Sequence, residues 1–197
     1  MHQVGVLALQ GDFEAHQKAL EQAGARAVPV RTPRELESVA GLVIPGGESS
    51  TMLLLLRAES LIEPLRAFGE RRPIFGTCAG AILLASEVVS PAQESLGLLD
   101  LLIERNGYGR QLASRVVTLE PEPEFAARMP AGALEAVFIR APIIRRAGER
   151  ARVLARYLGQ PVLVEQGDHL VATFHPELAA DRRVHRYFLE KVAACPS

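Results

Sequence analysis

The chain has 197 residues, a length that fits one domain with a full hydrophobic core. Its 22 basic and 23 acidic side chains give a formal net charge of -1, which argues against nucleic-acid binding because such surfaces carry a basic excess. Hydrophobic residues make up 48% of the chain, but apolar runs such as residues 52–56 are far too short to span a bilayer, so we expect no membrane association. No signal peptide is visible and a disulfide between the two cysteines is not needed at this size, so the sequence predicts a reducing cytoplasmic location.

Strand and helix signals alternate through the first half of the chain. A buried strand at 4–9 precedes a helix at 12–23, whose apolar residues recur at helical spacing up to Gly24. The later elements predicted in this half are strands at 27–30, 42–44 and 74–75 and helices at 33–39, 50–57, 61–70 and 79–88. Such alternation indicates βαβ units and a parallel sheet covered on both faces, with ligands bound at the carboxyl ends of its strands.

The second half changes in character, because short strands follow one another across tight turns. Its predicted elements are strands at 115–119, 136–139, 153–157, 161–165 and 170–173 and a closing helix at 182–194, with an exposed connection at 121–130. The sequence therefore predicts an α/β fold for residues 1–197: a flavodoxin-like, single-domain three-layer sandwich with a mostly parallel central sheet and antiparallel additions in its second half.

The segment Gly76-Thr77-Cys78-Ala79-Gly80 lies between a predicted strand and a predicted helix. Gly-x-Cys-x-Gly is the thiol version of the nucleophile elbow, in which a sharp turn exposes the apical side chain. Amides at the start of the following helix can lower the pKa of the thiol and hold an oxyanion. The alternative is an inert cysteine in the core.

A histidine and a glutamate follow the last predicted strand as His175-Pro176-Glu177. His175 can serve as general base and acid for a cysteine at a neighbouring strand end, and Glu177 can fix its tautomer. The alternatives are a histidine beside a proline turn and a first-turn acid of the last helix. The other four histidines have no comparable context: His2, His16, His169 and His185.

Two further kinds of segment suit a small anionic substrate. The glycine-rich loop 45–51 can cradle a carboxylate or oxyanion with its amides, or it can be an ordinary helix start capped by Ser49 or Ser50. It lacks the lysine of a phosphate-binding P-loop. The arginines of segments 105–111 and 138–142 suit a carboxylate clamp, although surface salt bridges would also explain them.

Together these motifs resemble the class I (triad) glutamine amidotransferases and, more narrowly, the glutaminase subunits of pyridoxal 5'-phosphate synthases. The resemblance runs from Val4 to about Phe188. The motifs that carry it are Leu9-Gln10-Gly11, Pro45-Gly46-Gly47-Glu48-Ser49, Gly76-Thr77-Cys78-Ala79-Gly80, Glu104-Arg105-Asn106 with Tyr108-Gly109-Arg110-Gln111, Phe138-Ile139-Arg140-Ala141-Pro142 and Phe174-His175-Pro176-Glu177.

The resemblance implies hydrolysis of L-glutamine to glutamate and ammonia through a cysteine thioester, with Cys78, His175 and Glu177 as the catalytic residues. It assigns an oxyanion hole to backbone amides of Gly46, Gly47 and Ala79, and it implies no cofactor and no metal ion. The residues that it assigns to glutamine binding are Gly47, Glu48, Ser49, Arg105, Ile139 and Arg140.

The resemblance also implies a partner. The family delivers ammonia to a TIM-barrel synthase subunit that makes pyridoxal 5'-phosphate, in assemblies of twelve glutaminases around a dodecameric synthase. Because Gln10 and the glycine loop share one predicted sheet edge, we expect Gln10 to face the synthase and to adjust the oxyanion hole on docking.

Other interpretations remain at this point. DJ-1/PfpI-like proteins carry an elbow cysteine followed closely by histidine, whereas Ala79 follows here. Gamma-glutamyl hydrolases would be expected to carry a signal peptide. A glutaminase that serves a nucleotide or amino-acid synthase is a third possibility, against which the arginine motifs argue. A non-enzymatic scaffold with an oxidation-sensing thiol is the fourth, against which the full set of cysteine, histidine and glutamate argues.

Overall fold

A computed structural model describes residues 3–107 and 114–195, and strands and helices alternate in its first half as the sequence predicts. Thr32 caps the helix that begins at Pro33, since its side chain accepts a hydrogen bond from the backbone amide of Glu35. The elements are β1 (Gln3–Leu7), α1 (Phe13–Gln22), β2 (Arg26–Val30), α2 (Pro33–Glu37), β3 (Gly41–Ile44), α3 (Ser49–Ala58), α4 (Ile62–Gly69), β4 (Ile74–Thr77) and α5 (Ala79–Leu84).

The second half contains more strands than the sequence predicts. Its elements are β5 (Ala85–Val89), β6 (Leu99–Glu104), β7 (Ser114–Leu119), α6 (Pro123–Ala126), β8 (Leu134–Ile139), β9 (Ile143–Ala147), β10 (Arg152–Tyr157), β11 (Gln160–Gln166), β12 (His169–Ala172) and α7 (Arg183–Ala194). The strands β5, β6 and β9 are not predicted by the sequence, and they form a separate three-stranded sheet.

Two predictions in this region are wrong. The helix predicted at 79–88 ends at Leu84, because Ala85 adopts an extended backbone and the chain then pairs in parallel with β6. The connection at 121–130 is not simply exposed, since it contains α6, whose Phe125 is fully buried. In both places pairing and burial against distant residues outweigh the local sequence signal.

The central sheet has seven strands in the order β10-β11-β12-β4-β3-β1-β2. The five strands from β12 to β2 are parallel, whereas β11 and β10 continue the sheet in antiparallel pairing. The predicted mostly parallel sheet with antiparallel additions is therefore confirmed. Because β4 and β12 are parallel neighbours with Ala172 opposite Thr77, the residues that follow both strands lie at the same sheet edge.

Apolar side chains cover both faces of this sheet. Along β3, Leu42 and Ile44 point into one buried cluster with the apolar faces of α2 to α5, while Val43 points into a second cluster. The second cluster includes Leu20 of α1 and Phe188 of α7. The sheet is therefore the middle layer of three. In the described part of the chain, no helix is both long and apolar enough to cross a membrane.

Candidate active site

Cys78 occupies the turn between β4 and α5 with φ 48° and ψ -104°, a backbone conformation that is costly for a residue with a side chain. The flanking glycines allow the tight turn. A Cβ atom on Gly76 would lie 2.6 Å from the Gly80 carbonyl, and one on Gly80 would lie 2.1 Å from the Ile44 carbonyl oxygen. The segment thus has the geometry of a nucleophile elbow.

His175 and Glu177 lie at the end of β12, beside this elbow. His175 Nδ1 is 2.7 Å from Glu177 Oε1, and the exposed fractions of the two residues are only 8% and 4%. The backbone amide of His175 donates to the Val137 carbonyl at 2.8 Å, which fixes the loop. The structure therefore brings the predicted cysteine, histidine and glutamate together.

The electrostatics of His175 suit a thiol partner. Burial by itself lowers the pKa of His175, but hydrogen bonds and charge interactions with Cys78 and Glu177 outweigh it and raise the pKa to about 10. At neutral pH the favoured form is therefore an imidazolium that faces Cys78. That protonation state supports a thiolate nucleophile.

A cleft of about 300 Å³ opens in front of Cys78 and His175. It is large enough for a small polar ligand the size of an amino acid. Its lining includes every residue predicted to bind glutamine, namely Gly47, Glu48, Ser49, Arg105, Ile139 and Arg140. Gln10 and Ile82 also line it, and Ile82 was not among the predicted site residues. Asn106 of the predicted arginine segment also lines it, whereas Tyr108, Gly109, Arg110 and Gln111 lie outside the described residues.

The residues predicted for the oxyanion hole surround the triad. Gly46 packs so closely against the histidine of the site that a Cβ atom there would lie 2.4 Å from His175 Cε1. A Cβ atom on Gly47 would lie 2.5 Å from Gln10 Oε1. Ala79 is buried at the first position of α5. A residue larger than glycine at position 46 or 47 would therefore displace His175 or Gln10, respectively.

Glu48 is the cap of α3, a role for which the sequence suggests Ser49 or Ser50 instead. Its carboxylate accepts hydrogen bonds from the backbone amides of Ser50 at 3.1 Å and Thr51 at 2.6 Å. The hydrogen bond from Thr51 is the main cause of a Glu48 pKa of about 2. Arg105 Nη2 lies 3.1 Å from the same carboxylate, so a fixed negative charge and its guanidinium partner border the cleft.

The Phe138 to Pro142 segment reaches the nucleophile through its backbone. The Ile139 carbonyl oxygen lies 3.9 Å from Cys78 Sγ, and Arg140 follows with a positive φ of 44° and an exposed side chain. This strained conformation turns the arginine toward the cleft mouth, where it is one of the lining residues.

Two histidines that the sequence does not single out lie behind the triad. His16 Nε2 is 3.2 Å from Glu177 Oε2, and His16 Nδ1 is 3.2 Å from His185 Nε2, although the sequence indicates no functional context for either histidine. The sequence feature that could have indicated a buried His16 is its position on the apolar face of α1, one turn before the buried Leu20. In the described ranges, no group of three or more histidine, cysteine or acidic side chains is arranged to hold a metal ion.

The fold and the site together define a protein of the class I glutamine amidotransferase type. A sequence profile described as the SNO glutamine amidotransferase family matches residues 6–194, and the chain belongs to this family.

Sequence comparison with individual proteins gives the same result. The chain is 59% identical over 192 residues to the pyridoxal 5'-phosphate synthase subunit PdxT of Solibacter usitatus, covering 98% of this chain and 100% of the relative. It is 53% identical to the subunit of the same name from Koribacter versatilis, covering 96% and 95%.

Solved structures show the same architecture. A crystal structure described as a glutamine amidotransferase matches with a TM-score of 0.88 and 47% identity over 97% of this chain and 99% of that one. A chain in the structure of PurLQS from Thermotoga maritima matches with a TM-score of 0.69 over 96% of this chain and 99% of that one, and at 18% identity it supports the fold alone.

Proposed function

We propose that this chain hydrolyses L-glutamine to L-glutamate and ammonia and supplies the ammonia to a synthase subunit that makes pyridoxal 5'-phosphate. The observation that carries the proposal is the cleft in which Cys78, His175 and the predicted glutamine-binding residues meet. Family membership and near full-length identity to subunits named PdxT support both the reaction and the pathway. The family match over 6–194 also supports the proposal that residues 1–197 form one amidotransferase domain.

The proposed chemistry starts from a Cys78 thiolate and a His175 imidazolium. The sulfur attacks the side-chain carboxamide carbon of glutamine, and the resulting intermediate expels ammonia, which takes its proton from His175. A thioester remains on Cys78. Neutral His175 then removes a proton from water, the hydroxide attacks the thioester, and cleavage of the carbon–sulfur bond releases glutamate. Glu177 holds the other ring nitrogen throughout, at 2.7 Å in the free chain.

The oxyanion of the tetrahedral intermediate would be held by backbone amides of the glycine loop and of Ala79. The Cys78 amide donates to the Ala172 carbonyl at 2.8 Å, so it is already engaged and Ala79 becomes the first candidate on α5. Each such donor contributes about 100- to 1000-fold in rate. The glycine loop supplies further amides at Gly46 and Gly47.

The charged groups of the cleft match the two ends of an amino acid. The ionised Glu48 carboxylate complements the α-ammonium group of glutamine, and the exposed guanidinium of Arg140 complements its α-carboxylate. Arg105 braces Glu48 through its 3.1 Å ion pair and also donates to Ser50 Oγ at 2.9 Å. Ser49, Ile139 and Gly47 complete the proposed glutamine site.

The direct test is ammonia release from L-glutamine, measured with a coupled glutamate dehydrogenase assay on the chain by itself and after mixing with a TIM-barrel synthase subunit. We expect glutamine-dependent ammonia release that rises on mixing, with no release from L-asparagine because its shorter side chain keeps the carboxamide away from Cys78. Absence of glutaminase activity in both the free and the mixed chain would refute the proposal.

The predicted partner edge includes Gln10. Its Oε1 accepts a hydrogen bond from the Glu48 amide at 3.1 Å, and its side chain packs against Gly47. A synthase surface that moves Gln10 would therefore move the glycine loop as well.

The proposal also includes an assembly of twelve glutaminase chains with twelve synthase subunits. It further includes a cytoplasmic location, which is consistent with the free thiols of Cys78 and Cys195.

Replacing Gln10 by alanine removes this link, and we expect synthase-stimulated glutaminase activity to fall about 10-fold, the equivalent of one hydrogen bond. The matched control is Gln22→Ala, which also removes a side-chain hydrogen bond, here to Arg182, but at the opposite end of α1. The control should keep wild-type stimulation. Unchanged stimulation in the Gln10 variant would exclude a role for Gln10 in docking.

A further inference from the structure

The carboxylate of Glu177 has a second side that the triad does not use. Oε1 is bound to His175, whereas Oε2 points into the interior, where His16 Nε2 lies 3.2 Å away. His16 is fully buried, and so are His185 and Thr77, which contact its two ring nitrogens. A buried ionised carboxylate is costly unless both oxygens are compensated, so the groups that face Oε2 matter for the charge of Glu177.

Both histidines are neutral in this environment. Burial, followed by the charges of His185, His175 and Arg182, lowers the pKa of His16 well below its ordinary value of 6.5. Burial is also the main cause that lowers the pKa of His185 to about 3, with Arg182 acting in the same direction and Asp181 opposing it. Each neutral ring therefore carries one N–H donor and one acceptor nitrogen.

The contacts select one arrangement of these protons. If His16 carries its proton on Nε2, the N–H donates to Thr77 Oγ1 at 2.9 Å with its positive end also near Glu177 Oε2, which lies 3.2 Å from Nε2, and Nδ1 accepts from His185. With the opposite tautomer, a lone pair would face the carboxylate. It would also force the proton of His185 onto Nδ1, the nitrogen that has no hydrogen-bond partner among the described residues. A buried unpaired donor costs more than a buried lone pair on the same ring.

We propose that His16 is a positioning residue for the triad: its Nε2–H supports the outer oxygen of the Glu177 carboxylate, and His185 holds His16 in the required tautomer. The inference rests on the proposed function. In the described part of the chain, Glu177 Oε2 has no hydrogen-bond partner of good geometry, and the polar group that faces it is the ring edge of His16, whose Nε2 lies 3.2 Å away. The line Cys78–His175–Glu177–His16–His185 joins the ends of β4 and β12 to α1 and α7.

Two conservative substitutions of His16 separate positioning from packing. In His16→Gln the side-chain amide reaches the place of Nε2 and keeps the donor toward Glu177, whereas in His16→Asn it reaches only the place of Nδ1. We expect His16→Asn to lower kcat for glutamine about 10- to 100-fold, with KM changed less than about 2-fold, and His16→Gln to stay near wild type.

A second readout does not depend on glutamine. The rate of Cys78 alkylation by iodoacetamide follows the thiolate fraction, and a less well supported Glu177 stabilises the imidazolium less. The pH midpoint of alkylation should therefore rise by about one unit in His16→Asn and remain in place in His16→Gln. His169→Asn is the matched control, because His169 accepts from the Ile74 amide at 3.2 Å and lies at the opposite end of β12.

The outcomes discriminate between the possibilities. Equal alkylation profiles for the Gln and Asn variants, or a shift of the same size in His169→Asn, would overturn the positioning role. If His16→Asn does not fold, His185→Leu replaces it, since loss of the donor to His16 Nδ1 should raise the same midpoint. A shifted midpoint in a chain that releases no ammonia would leave the positioning role intact and refute the glutaminase function instead.

Discussion

Replacing Cys78 by alanine should reduce glutamine-dependent ammonia release by at least about 10⁴-fold, because the reaction then has no group that can form the thioester. The loss should appear in kcat. Cys78 is almost fully buried and lines the cleft, so truncation removes one sulfur and leaves the other lining residues in place. Single-turnover mixing with labelled glutamine, followed by mass spectrometry, should detect a glutamyl adduct on the wild-type chain only.

The matched control for this change is Cys195→Ala. Cys195 follows α7 and its thiol contacts the Arg71 carbonyl at 3.3 Å, far along the chain from the elbow. This variant should retain wild-type activity and remain sensitive to iodoacetamide. Full activity in Cys78→Ala would eliminate the triad assignment, whatever the behaviour of Cys195→Ala.

Replacing Glu177 by glutamine should lower kcat by about 10²- to 10⁴-fold while leaving the nucleophile in place. A neutral amide can hold the His175 ring in the wrong tautomer, and it no longer stabilises the imidazolium that accompanies the thiolate. Because Glu177 is one of the groups that raise the pKa of His175 to about 10, its loss lowers that pKa. The alkaline limb of the pH profile of kcat/KM for glutamine, which follows deprotonation of the general acid His175, should therefore move to lower pH.

Glu177→Gln should also alter how the stability of the fold depends on pH. The folded-state pKa of His175 lies above its ordinary value of 6.5, so protonation of His175 stabilises the fold fully below pH 6.5, and this stabilisation is lost as the pH rises through about 10. The difference in melting temperature between wild type and Glu177→Gln should therefore shrink as the pH rises through this window. A surface control is Glu190→Gln, since Glu190 is half-exposed and pairs with Arg128 on α7's outer side. An alkaline limb that stays fixed in Glu177→Gln would contradict the proposed pairing.

Local signals explain why much of the fold was predicted. The first half alternates short buried strands with amphipathic helices, and each pattern is complete within about ten residues, so β1 to β4 and α1 to α4 were all anticipated. The unpredicted strands β5, β6 and β9 do not show a complete local pattern of this kind. Only one face of β6 is fully buried, the face that carries Leu101 and Ile103, and pairing with residues some forty positions later decides the conformation of this strand.

The residues of the site also fall into those that the sequence indicates and those that only the tertiary structure reveals. The sequence by itself indicated the elbow cysteine and the His175–Glu177 pair, because glycine spacing, strand ends and acid–base residue types are local properties that require no knowledge of distant contacts. The glutamine-binding residues were expected only from the resemblance to the amidotransferase family. Only the tertiary structure decided that Glu48 caps α3 while pairing with Arg105, and that His16 lies behind Glu177. His16 and His185 are 169 residues apart in the chain and meet only because α1 and α7 pack on the same face of the sheet. Their role depends on distance, burial and proton placement in the folded chain, and no spacing in the sequence encodes those quantities.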